Sequence, residues 1–229
     1  MTSFRDPVTR ASRILDAAAE LLVSWGYRRV TIDEVAKRAA IGKGTVYLHF
    51  ATKEQLFLAV VMRSQSRWAE RFLDDVAADP AAALPSGMAR SVFLAVHADP
   101  VLRAVLLSDR DTLGVLAKIA EQTSKEVLEH RERTIGESFR ILREHGLVAD
   151  DRPVATQLHA YAAIITGFLT IEPMLPTWGG TLEANADMLA HVIRSGFEPP
   201  PDEERLRAAA PLVADLYRSL LERLKQEIP

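Results

Sequence analysis

Residues 31 to 57 read TIDEVAKRAAIGKGTVYLHFATKEQLF, and the fold turns on how this stretch is punctuated. Thr31 has the chemistry of a helix N-cap. Glu34, three residues on, completes a capping box in which side chain and backbone satisfy two amide donors that a helix start leaves unpaired. The helix that follows buries Ile32, Val35, Ala36 and Ala39, which recur at helical spacing. Ile41-Gly42 is expected to make the turn, the glycine supplying backbone freedom. Lys43 to His49 is then a second helix, too short to persist alone and held by the packing of Val46 and Phe50. Thr52 caps a third, with Gln55 at the capping-box position.

The order Thr31, Asp33-Glu34-Val35-Ala36, Ala39, then Gly44-Thr45-x-Tyr47-x-His49-Phe50 and Lys53-Glu54-x-Leu56 resembles the helix-turn-helix of the TetR family of bacterial repressors. The resemblance covers roughly residues 9 to 57, about a quarter of the chain. It departs at Gly42, where the family usually carries a serine that caps the recognition helix and touches a phosphate. The resemblance implies an all-α protein with a DNA-binding head over residues 1–53, a connecting helix over 54–79, and a ligand-binding and dimerisation domain over 80–198. A further helical segment, 199–229, extends beyond the helices usual in the family.

Composition agrees with such a division. The 229 residues, 48% hydrophobic, suffice for a head and a larger body. Net charge is only -3, but it is unevenly spread. Residues 1–53 hold nine Lys/Arg against five acids, a surplus of four, so the remainder carries -7. A basic head on an acidic body is the asymmetry of a DNA binder whose body faces other partners. The chain has no cysteine, which removes disulfides, thiol nucleophiles and Cys-based zinc sites. The N-terminus lacks the apolar core of a secretory signal, and a cytoplasmic protein is expected.

Taken in order, residues 1–8 form a polar arm with Arg5, either a disordered tail or a minor-groove contact. A helix from Thr9 to Trp25 places Ile14, Leu15, Ala18, Leu21, Leu22 and Trp25 in the core of the head. The helix begun at Thr52 continues to about Ala77 and joins head to body, so a tilt of its far end moves the head like a lever. Leu84-Pro85-Ser86-Gly87 reads as a break, followed by a helix from Met88 to His97. Asp99-Pro100 starts the next helix, Asp111 to Leu116 is a short continuation, and a longer helix spans Lys118 to His145, ended by Gly146-Leu147 in a Schellman pattern. Its inner stripe is Val127, Leu128, Ile135, Phe139 and Leu142.

Pro153 to Ile171 is nineteen residues without a charge. Thr156, Gln157, His159, Thr166 and Thr170 argue against a membrane span, and a helix buried in protein on most sides is expected. Ala160, Ala163 and Gly167 on one side would admit another helix closely. The resemblance implies that this helix and the next, Thr181 to Arg194, pair with their copies to form a homodimer. Beyond the Pro199-Pro200-Pro201 linker, Pro211 is expected to begin the longer part of a last helix whose apolar stripe is Leu212, Val213, Leu216, Tyr217, Leu220 and Leu224.

A recognition helix sets its first residues on base edges while its flanks hold phosphates. Lys43 can donate to guanine or only to a phosphate. Gly44 costs about 1 kcal/mol of helix propensity relative to alanine, which suits close approach of the backbone to DNA or is merely tolerated. Thr45 offers a methyl and a hydroxyl. By resemblance, Tyr47 and His49 contact phosphates, though His49 can equally pack on the helix after it. Lys53 adds a phosphate contact, and Thr31 serves as cap and phosphate donor. Two heads on a dimer would read a palindromic operator.

In the body, Phe93, His97, His159, Tyr161, Phe168 and Trp178 mix aromatic and polar character into apolar helices, as an effector pocket would, and equally suit plain core. A small, largely apolar ligand that favoured one shape of the body would lower DNA affinity by linkage. No Gly-rich phosphate loop, His-Glu-x-x-His or Gly-x-Ser-x-Gly element is present, and the body histidines lack metal-ligand spacing. An enzyme, a cofactor and a metal site are therefore not expected. An activator, or a DNA-binding dimer without a small-molecule ligand, remains open.

Overall fold

The computed structural model describes residues 7–108, 125–171, 180–200 and 202–229. Within them the chain is all-α, with ten α-helices and no strand. These are α1 (Pro7–Trp25), α2 (Ile32–Arg38), α3 (Lys43–His49), α4 (Lys53–Ala78), α5 (Pro85–Ala98), α6 (Pro100–Arg103), α7 (Lys125–Glu144), α8 (Val154–Ile171), α9 (Leu182–Phe197) and α10 (Glu203–Gln226). A 3-10 turn, Pro80–Ala83, precedes α5, and a π turn, Ala104–Ser108, follows α6. The expected arm at Arg5, the continuation Asp111 to Leu116 and the segment holding Trp178 lie outside the described residues. The chain divides into two compact units. One holds Met1–Ser66, Asp99–Leu128 and Arg223–Pro229; the other holds Arg67–Ala98 and Glu129–Glu222.

In the first unit, Ile14, Leu15, Leu22, Val35, Val46, Phe50, Leu56 and Phe57 form one core, joined by Val101 and Val105. Burial of Val46 and Phe50 contributes about 3–6 kcal/mol, which holds a seven-residue helix that would not persist alone. Two expectations fail here. Trp25 is 46% exposed, because it is the last residue of α1 and the chain turns away at Gly26. The left-handed residue of the turn is Ala40, at φ 52°, whereas Gly42 is an ordinary extended N-cap at φ −73°. Ile41 N–H bonds to Ala36 O at 3.0 Å and Ala40 N–H to Lys37 O at 3.2 Å, so α2 closes with a Schellman pattern built on alanine.

In the second unit, Phe72, Phe93, Phe139, Leu142, Leu189 and Ile193 are fully buried, and α5 runs against α9. The expected break at residues 84–87 is the start of α5, which begins at Pro85 rather than Met88. Glu198, at the end of α9, accepts from Ser86 N–H at 2.7 Å and from Ser86 Oγ at 3.0 Å, so the cap comes from 112 residues away. A Cβ at Gly87 would lie 2.6 Å from Ala82 O, which is why this position takes glycine. The expected Schellman ending of α7 is present: Gly146 has φ 66°, and Leu147 N–H reaches Leu142 O at 2.7 Å.

The final helix corrects a fourth expectation. It is continuous from Glu203, with Pro211 exposed inside it rather than at its start. Asp202 accepts from Glu204 N–H and Arg205 N–H, at 3.0 and 3.1 Å, and so supplies the true N-cap. Leu206, Ala209, Ala210, Val213, Tyr217, Leu220 and Leu224 form the buried stripe, which leaves Leu212 exposed. The burial of that stripe outweighs the backbone bond that an interior proline removes, about 3 kcal/mol.

A fifth correction concerns α8. It is the one helix among the described residues that is long and apolar enough to cross a membrane by length and composition, yet only 17% of it is buried. Gln157, Tyr161 and Leu169 face inward, while Ala155, His159, Ala162, Ala163, Thr166, Gly167 and Ile171 are exposed. Absence of charge all round signalled apolar surface, but the chain itself covers only one side of it.

Candidate nucleic-acid interface

The head presents α3 through its neighbours. Thr31 Oγ1 accepts from Glu34 N–H at 3.3 Å and Glu34 Oε2 accepts from Thr31 N–H at 2.7 Å, the expected capping box. Arg13 clamps the other end of α2, donating from Nη2 to Ala39 O and to Ala40 O. A cation there also complements the negative end of the helix. Nothing local in the sequence announced that role, since the partners are 26 and 27 residues away.

With Val46 buried, the opposite face of α3 is bare. Lys43, Gly44, Tyr47 and Leu48 are all exposed, and Thr45 and His49 are half-buried at its edges. Positions 44, 47 and 48 lie at i, i+3 and i+4, so they share one face. Lys43 Nζ meets Asp33 Oδ2 at 2.8 Å, a solvent-exposed pair worth little and cheaply exchanged for a phosphate. That hydrogen bond holds its ammonium above the usual lysine range. A Cβ at Gly44 would meet nothing within 4 Å, so the fold itself places no demand for glycine there.

Three more of the named residues are engaged within the head. The Thr31 hydroxyl also donates to Glu34 Oε2 at 3.0 Å. His49 lies 6.4 Å from Phe50, ring centroid to centroid. Lys53 Nζ sits 4.3 Å from the centroid of the Tyr27 ring, and burial holds its ammonium below the usual range. Tyr27 in turn donates to Glu54 Oε1 at 3.0 Å, and burial first, then that bond, pushes the phenol well above its usual range.

Sequence reasoning missed Leu48, which is 86% exposed. The signal was available, because four residues after Gly44 and two after Val46 is the outward face of the same helix. Gly42 caps α3 without a side-chain bond, as its departure from serine implies.

Of the six residues named for an effector, the described ones are not gathered in the same way. Phe93 is fully buried, its ring 4.3 Å from that of His97, whose Nδ1 lies 2.8 Å from Phe93 O. Tyr161 is buried, donates to Pro85 O at 3.2 Å, and stands 5.2 Å from the Phe139 ring, with burial raising its phenol well above the usual range. His159 is exposed on α8, Phe168 is half-buried, and Trp178 lies outside the described residues. A cleft of about 770 Å³ in the second unit is lined by other residues, among them Trp68, Arg71, Asp74, Arg90, Ser91 and Arg194. Among the described residues no group of three or more His, Cys, Asp or Glu could hold a metal ion.

The bare face of α3 lies within a match to a known family. Residues 14–60 match the bacterial regulatory proteins of the tetR family. That stretch of the chain is a TetR-family helix-turn-helix head. The chain is 40% identical over 60 residues, 26% of its length, to the HTH-type transcriptional regulator QacR of Staphylococcus aureus. It is 43% identical over 54 residues, 24% of its length, to the HTH-type transcriptional activator FasR of Mycolicibacterium smegmatis. The chain spans 32% of the length of QacR and 25% of FasR. A solved structure, the SmeT–triclosan complex, shares the fold with a TM-score of 0.63 and 21% identity over 84% of this chain and 93% of that one. QacR and FasR are named as transcriptional regulators, and the family match falls in the head, where the named DNA-binding residues lie.

Proposed function

We propose that this TetR-family protein is a cytoplasmic transcriptional regulator that binds a palindromic DNA operator as a homodimer and represses until a small, largely apolar ligand in the second unit releases it. The observation that carries the reading is the outward face of α3, where Lys43, Gly44 and Tyr47 are exposed in a matched helix-turn-helix and Gly44 has no use inside the fold. Lys43, Thr45 and Tyr47 would hold bases and phosphates, flanked by Thr31, His49 and Lys53. Reaching the backbone would cost Lys53 its place over Tyr27.

Dimerisation is supported by the apolar surface that the chain leaves open. Ile171 on α8 and Met188 and Val192 on α9 are exposed, as are the small residues Ala162, Ala163 and Gly167 of α8. A second copy covers such a face without a membrane. The effector's class is supported by the SmeT complex with triclosan, and Phe93, His97, His159, Tyr161, Phe168 and Trp178 are the residues to vary when its site is mapped. The activator named among the relatives favours a second reading, in which the same dimer activates.

The test is a selection of random duplex DNA on the full-length protein, followed by anisotropy titration of the selected site at two salt concentrations. A palindromic motif, binding that weakens steeply with salt, and a folded Tyr47→Ala variant weakened by about 2 kcal/mol per half-site are expected. Selection of no motif would overturn the reading. Triclosan added to the complex tests release by an apolar compound.

A further inference from the structure

Leu48 is the most exposed large apolar side chain among the described residues, at 86% against 53% for Met188, the next. Isolated exposed leucines are common and need no explanation, but this one is not isolated. It adjoins Tyr47, itself 46% exposed, on a seven-residue helix whose single fully buried residue is Val46. Such a helix gains nothing from a leucine pointing into water, and the fold leaves that side chain unused. Gly44, one turn earlier on the same face, presents bare backbone, so nothing on α3 shields Leu48 from a surface laid against it.

Resting on the DNA-binding reading, we infer that Leu48 is a specificity-determining residue that reads the 5-methyl group of thymine in the major groove. The chemistry allows few alternatives. A leucine neither donates nor accepts a hydrogen bond, so it cannot read the polar code of the base edges or hold a phosphate. The major groove offers one apolar group, the thymine methyl. Lys43, on the same helix, supplies the polar partner for a neighbouring base or phosphate. The division of labour is chemical: charge sets register and affinity, and Leu48 sets preference for thymine at one position in each half-site.

The experiment compares full-length wild type and Leu48→Ala, whose folding is checked by circular dichroism and whose exposed site removes no core contact. Random duplex DNA is selected on each protein in parallel. Wild type is expected to return a motif with a fixed thymine in each half-site, and Leu48→Ala the same motif with that preference lost. The wild-type operator is then made with deoxyuridine, which lacks only the methyl, at those thymines. Wild type is expected to lose roughly fourfold in affinity per half-site, the worth of one buried methyl, whereas Leu48→Ala binds the two operators equally.

Three results would overturn the inference while leaving DNA binding intact: identical motifs from both proteins, the same deoxyuridine penalty for both, or a uniform weakening by Leu48→Ala with no change in preference. Failure of wild type to select any motif would remove the DNA-binding reading and this inference with it.

Discussion

The two sets of residues singled out in this chain meet opposite fates. In the head, Lys43, Gly44 and Tyr47 stand outward on one helix face, with no role that the fold requires. In the second unit, Phe93 and Tyr161 are core, bound to the chain's own backbone and rings. A side chain that folding leaves idle is free to serve a partner, whereas one the core needs is costly to lend. Variants of the first set should therefore change binding and spare stability, and variants around the second should do the reverse.

The largest effect is expected from Phe139→Ala. Phe139 is fully buried between Tyr161 and Phe197, with ring centroids at 5.2 and 6.4 Å. Its loss should cost about 3–5 kcal/mol, read as a fall in the urea midpoint. A loss below about 1 kcal/mol would mean that these rings do not form a tight core, and would reopen Tyr161 as a ligand contact.

A smaller effect of opposite sign sharpens the account of the head. Ala40 holds a left-handed conformation at φ 52°, which costs an L-residue about 1–2 kcal/mol. Glycine removes that strain but has more freedom to lose on folding. Ala40→Gly should stabilise the protein by about 0.5–1 kcal/mol in thermal unfolding, with operator affinity unchanged. A destabilised variant would show that the turn at Ala40 is not the one described.

The smallest effect is a slope with pH. Burial holds the Glu198 carboxyl above its usual range, against the opposing bonds from Ser86 and the nearby Arg194. A carboxyl whose folded value is raised favours the folded state when protonated. Stability from this group is therefore fully present below the unfolded carboxyl value, about 4.3, and is lost as pH rises through the raised folded value. Glu198→Gln should remove that component, so its stability relative to wild type should improve as pH rises from 4 to 7. A constant difference across that range would refute the assignment.

Much of the head was legible from sequence because its signals are local. The capping box at Thr31 and Glu34, the bounds of α3, and the burial of Val46 and Phe50 all follow from residues within a turn or two of each other. Reading the same spacing one step further would have found Leu48. The seat of the positive φ was misplaced because glycine tolerates it without requiring it, and Gly42 was needed only as an N-cap in extended conformation. For the effector residues the sequence offered only residue types, and aromatic side chains with a polar tip serve a core as readily as a pocket.

The sequence by itself determined the helical class, the family of the head, the residues on the outward face of α3 and the Schellman ending at Gly146, because periodicity and caps act over a few residues. Tertiary structure alone decided what completed each element from afar. Glu198 caps α5 from 112 residues away, Arg13 closes the end of α2, and a continuous buried stripe carries α10 through Pro211. It also decided that α8, uncharged on every side, is covered on only one. Burial depends on which surfaces meet, and a linear pattern specifies the surfaces without specifying the meeting.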